Sequence, residues 1–192
     1  MVIGLDKFRE QFAGEEDKYI IIGGTACDIN LRDTMTEPRD TVDIDIIITT
    51  LWAKINLTEA YYTEQVISDF RRILYNREIL GFADFNREHE RCLSFLKRAV
   101  SSSDAAKIIV VSHHVPSFQM QNPKFANSKA NGAFTVELED YIMDSGIDYW
   151  IFGHSHYNVD VQIGKTRCVS NQLGYVSHGE HETFNYGKYI VA

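Results

Sequence analysis

Tyr149-Trp150-Ile151-Phe152-Gly153-His154-Ser155-His156 is an apolar run that stops on a glycine and then sets two imidazoles one residue apart. Glycine lets the backbone turn sharply at a strand end, and imidazole is the commonest side-chain ligand of zinc, iron and related metals. About forty residues earlier a second apolar run, Lys107-Ile108-Ile109-Val110-Val111-Ser112, ends in His113-His114-Val115-Pro116. Two strands that each stop at histidine predict one site between them, with one or two divalent ions.

The chain around these runs has 192 residues, 44% of them hydrophobic, enough for one buried core or two small ones. No run approaches the roughly 18 uncharged apolar residues that span a bilayer, and the first residues lack the layout of a signal peptide. The expectation is a cytoplasmic protein with no membrane partner. A net charge of -8 argues against a grip on extended nucleic acid, which needs Lys and Arg against phosphates. A small phosphorylated substrate stays compatible, because bound cations add local positive charge. Cys27, Cys92 and Cys168 are scattered and show no Cys-x-x-Cys spacing, so they read as reduced, mostly buried thiols. Residues 1–50 carry eleven Asp and Glu against five Lys and Arg, the remainder sixteen against fourteen, a first sign of two origins.

Along the chain, residues 7–12 read as a short helix, 18–22 as an apolar strand closed by Gly23-Gly24, and 25–33 as a second helix capped by Thr25. Residues 41–50 alternate as a strand, with Asp43 and Asp45 on one face and Ile44 and Ile46 on the other. Residues 57–63 read as a loop, 64–75 as a helix, and 84–100 as a longer helix whose stripe includes Phe85, Leu93 and Leu96. His89 lies on that stripe and reads as a packed core histidine. Residues 115–133 form a long polar loop, the expected rim of the site. A helix over 135–145 stops at Gly146. The end of the chain reads as short strands at 159–163, 166–170 and 188–191. His178 and His181 read as exposed turn residues, Trp52 and Trp150 as core or rim aromatics.

With those residues in view, positions 49–192 resemble the C-terminal portion of a calcineurin-like metallophosphoesterase. The resemblance rests on Val110-Val111-Ser112-His113-His114-Val115-Pro116-Ser117, Gly153-His154-Ser155-His156 and Ser170-Asn171-Gln172-Leu173-Gly174-Tyr175. It implies metal-dependent hydrolysis of a phosphate ester, His113 and His154 on one ion, His156 on another, and Mn, Fe or Zn as the metal. His114 is open: ligand in place of His113, catalytic contact to phosphate, or filler. His113 is preferred because it directly ends its strand. The family's earlier motifs, Asp-x-His, Gly-Asp and Gly-Asn-His, do not occur in this sequence. Without the bridging carboxylate two cations repel at close range, which favours a single weakly held ion.

Residues 1–48 instead resemble the start of a minimal nucleotidyltransferase of the abortive-infection toxin type, on Ile22-Gly23-Gly24-Thr25 and Asp43-Ile44-Asp45. That resemblance implies Gly23, Gly24 and Thr25 at a triphosphate, with Asp43 and Asp45 on Mg²⁺. The expected fold is α/β, with mixed β-sheet layers flanked by helices: an incomplete phosphoesterase-like sandwich carrying a transferase-like N-terminal segment. Three functions follow. The chain is a hydrolase, of impaired activity, whose missing ligands come from Asp28, Asp43 or Asp45; or a nucleotidyltransferase using Asp43 and Asp45; or a non-catalytic fusion remnant that self-associates into a homo-oligomer across the surface the lost strands once covered.

Overall fold

The computed structural model describes residues 43–191. The expectations for Gly23, Gly24, Thr25, Asp28, Cys27 and the elements at 7–33 lie outside them. Within them the fold is α/β, with a mixed five-stranded sheet and helices. Strand β1 (Ile44–Thr49) leads to helices α1 (Leu57–Val66) and α2 (Asp69–Arg72), a hairpin of β2 (Leu74–Tyr75) and β3 (Glu78–Ile79), and the long helix α3 (Phe82–Ser102). Then come β4 (Lys107–Ser112), helix α4 (Glu139–Asp144), β5 (Tyr149–Ile151), β6 (Asp160–Ile163) and β7 (Thr166–Val169).

The sheet order is β1-β4-β5-β7-β6, parallel throughout except for the β6/β7 pair. Register explains the core. Ile47, Val110, Trp150 and Cys168 stand side by side in one row across four strands, and all four are buried. Trp150 is wholly enclosed, and its indole N–H donates to Ser112 Oγ at 3.0 Å, so the largest core side chain leaves no polar atom unpaired. Burial drives the Cys168 thiol up to about 12, which keeps it protonated. On α3, Phe85, His89, Leu96 and Val100 face this layer at helical spacing.

His89 is the packed core histidine that its place on the stripe predicts, bonded through Nδ1 to the Trp52 carbonyl. Desolvation lowers its pKa, against the opposing pull of that carbonyl. The unfolded chain therefore takes up the proton first as pH falls through about 6.5, and stability is lost from there downward. His89→Gln keeps a donor for Trp52 but cannot titrate. Urea unfolding at pH 7.5 and 5.5 should show its acid slope shallower than wild type by at most ~1.4 kcal/mol per pH unit.

Three expectations fail. Residues 57–63 are helical, not a loop: only Ala60 and Thr63 of α1 are buried, so the helix carries no apolar stripe to betray it. The predicted helix at 64–75 breaks at Ile67 and Ile73, both extended, and Asn76 and Arg77 turn left-handed (φ 52° and 72°) to close the β2/β3 hairpin. No strand forms at 188–191, where the chain is irregular and Val191 O accepts the Tyr149 hydroxyl at 2.5 Å. Helix α4 also starts four residues later than expected, because Val136 and Leu138 donate instead to Val115 and Pro116. No described helix is long and apolar enough to cross a membrane.

Candidate metal centre

The ends of three adjacent parallel strands meet at one place. Thr50, just past β1, accepts from the backbone N–H groups of both His113 and His114, and His113 O accepts from Gly153 N–H at 3.1 Å. Carboxyl ends of parallel strands are where open α/β sheets place ligands. Here they bring His113, His114 and His154 together, with one ring nitrogen from each lying within 4.8 Å of the other two.

Backbone strain concentrates at the same exits. Leu51, His154 and His156 adopt left-handed φ of 45°, 69° and 48°, whereas Gly153 does not. The sharp turn expected of the glycine therefore falls on the histidines, at a cost of order 1–3 kcal/mol each. Such strain persists only where surroundings over-determine it. The His154 ring stacks between Phe134 (centroids 4.7 Å apart) and His114 (4.4 Å), with His113 tilted against it at 4.6 Å. Phe134 is delivered by the loop expected to rim the site: Val115 N–H donates to Phe134 O, and Val115 bridges Thr135. Three 3₁₀ turns organise that loop. Its last turn sits on the 54–55 backbone, so closely that a Cβ on Gly132 would lie 2.7 Å from Lys54 O and 3.0 Å from Ile55 Cα. Gly132→Ala should therefore lower stability by ~1–3 kcal/mol in denaturant unfolding, since neither contact is a side chain that can swing away.

All three rings are held neutral. Burial lowers His113, against the negative charge of Asp69 on α2 and with the charge of His156. Burial drives His114 well below its ordinary value, helped by His154, His113 and His89. His154 falls to about 3, again mainly through burial and then His113, with the Ala133 carbonyl opposing. Neutral imidazoles are what a metal requires of histidine.

The three do not share one role. His114 Nδ1 accepts the Ala53 N–H at 3.1 Å, so the neutral ring carries its proton on Nε2. A protonated Nε2 cannot ligate. His114 is a buried strut that holds the Ala53 backbone and keeps an Nε2–H to donate, which leaves His113 and His154 as the candidate ligand pair. The donor set fits a borderline cation such as Zn, Mn or Fe.

His156 stands outside this triad but close enough for its charge to bear on His113 and His154. Its Nδ1 lies 2.8 Å from Glu180 Oε2. Sequence reading passed over Glu180; its one signal was a carboxylate beside the glycine turn at Gly179. Asp43 and Asp45 lie elsewhere. Asp45 pairs in register with Ile108, at the opposite end of β4 from His113, ~17 Å away at strand rise. Its Oδ2 accepts the Ser103 hydroxyl at 2.6 Å, and Asp43 is exposed. His178 and His181 are exposed in short 3₁₀ turns, as expected.

No family model and no solved structure matches the chain. Among curated proteins it is similar to "Uncharacterized protein L509" of Acanthamoeba polyphaga mimivirus, 28% identical over 159 residues. The match covers 77% of this chain and 55% of the viral protein, so the chain spans about half the length of that relative.

Proposed function

We propose that the chain is a metal-dependent phosphoester hydrolase of low turnover, built on an incomplete metallophosphoesterase-like sandwich. The observation that carries this reading is the convergence of His113, His114 and His154 within 4.8 Å at the carboxyl ends of parallel strands. His113 and His154 hold the ion. His114, neutral and with Nε2–H uncommitted, donates to a phosphoryl oxygen. Phe134 and the 115–133 loop screen the site from water on one side. A bound Zn, Mn or Fe would supply Lewis-acid charge and a more acidic water for attack on phosphorus. Turnover is low because the donors are uncharged and no carboxylate joins them among the described residues.

The transferase alternative depends on Asp43 and Asp45, which sit at the far end of the strands and share no described site with the histidines. Hydrolysis of a small aryl phosphate by the purified chain, with Mn²⁺, Zn²⁺ or chelator, tests the proposal. Slow, metal-dependent release that falls at least tenfold in His154→Ala is expected. Release indifferent to both chelator and His154→Ala, or none from metal-loaded protein, overturns it.

A further inference from the structure

His156 is held unusually firmly for a half-exposed side chain. Its backbone N–H donates to Gln172 Oε1 at 2.9 Å, and the Gln172 side chain is itself fixed by donating to Tyr157 O at 3.1 Å. Its ring meets the Tyr175 ring edge-on, centroids 4.8 Å apart. Its Nδ1 meets Glu180 Oε2 at 2.8 Å, and the same oxygen accepts the Tyr175 N–H at 2.6 Å. The carboxylate is thus anchored from the backbone before it reaches the imidazole.

Gly174 makes the approach possible. It is left-handed (φ 63°), and a Cβ there would lie 2.5 Å from Glu180 Cβ, 2.8 Å from Glu180 Oε2 and 3.2 Å from His156 Cβ. Any side chain at 174 would drive the pair apart. Left-handed glycine, backbone-anchored carboxylate and strained histidine (φ 48°) lie on separate stretches of chain and converge on one contact.

We propose that Glu180 is the positioning residue of His156, accepting a hydrogen bond from its Nδ1–H and so leaving Nε2 for a divalent ion. A carboxylate on the far nitrogen of a ligating histidine fixes its orientation and raises its basicity, and losing one typically costs 10–100-fold in metal affinity. The inference rests on the proposed metal centre and extends it to His156, whose partner sequence reading did not supply.

Two readouts test it on the 192-residue chain. In the metal-free protein at pH 8, imidazole ¹⁵N spectra should show His156 protonated on Nδ1 in wild type. In Glu180→Ala and in Gly174→Ala, which leaves both partners intact, the proton should move to Nε2. Glu180→Gln, whose amide oxygen can still accept, should restore the wild-type pattern. Melting of the metal-free variants confirms that each is folded. In Co²⁺ titration, Glu180→Ala should weaken binding 10–100-fold and reproduce most of the loss in His156→Ala, while His154→Ala loses the ion outright. An unchanged tautomer in Glu180→Ala, or unchanged Co²⁺ affinity there while His154→Ala loses the ion, overturns the role of Glu180 alone. Binding that ignores His113→Ala and His154→Ala overturns the metal centre with it.

Discussion

His154→Ala is expected to weaken divalent-ion binding on the order of 100-fold or more, beyond the loss typical of an outer partner. It removes one of the rings proposed to hold the ion, and it also removes the surface against which His113, His114 and Phe134 pack. His154→Gly separates these effects. It should lose the ion equally, yet keep ~1 kcal/mol more metal-free stability than His154→Ala, because glycine adopts φ near 69° without the Cβ clash that alanine meets. Equilibrium dialysis reads the first quantity and urea unfolding the second.

Trp150→Ala should cost ~3–5 kcal/mol, enough to unfold many domains of this size. The side chain fills the middle of the row Ile47, Val110, Trp150, Cys168, and its removal leaves a cavity that neighbours on three strands cannot all close. It also leaves Ser112 Oγ without its indole donor. Ile46→Ala, on the other face of β1 and 48% exposed, should cost well under half as much. Equal costs at the two positions would mean that the core does not lie under α3.

The site inherits its position from the sheet. Parallel pairing of β1, β4 and β5 forces their carboxyl ends to one edge, and each exit is then bent by a left-handed, non-glycine residue or by paired histidines. Strain of that kind is gathered where the three imidazoles meet.

Much of this was legible in residue order. Lys107 to Ser112 is a continuous apolar run because its last four residues are buried on both faces of a parallel strand, Tyr149 to Ile151 is a shorter one centred on buried Trp150, and the histidines follow soon after. Helix α3 announced itself through Phe85, His89, Leu96 and Val100. What stayed hidden depends on contacts rather than pattern. Helix α1 buries two small side chains, so no period shows. The β2/β3 turn uses Asn76 and Arg77 where a glycine would have flagged it. Glu180 matters only because Gly174 folds it back onto His156, and the division of labour between His113 and His114 is set by the Ala53 N–H, which composition cannot reveal.

Equilibrium dialysis of the metal-free chain against Zn²⁺ and Mn²⁺, with His113→Ala, His154→Ala and Asp45→Ala alongside wild type, bears most directly on the centre. An ion bound by wild type and by Asp45→Ala, and lost from both histidine variants, is expected. No uptake by wild type, or uptake that survives His154→Ala and disappears in Asp45→Ala, would contradict it.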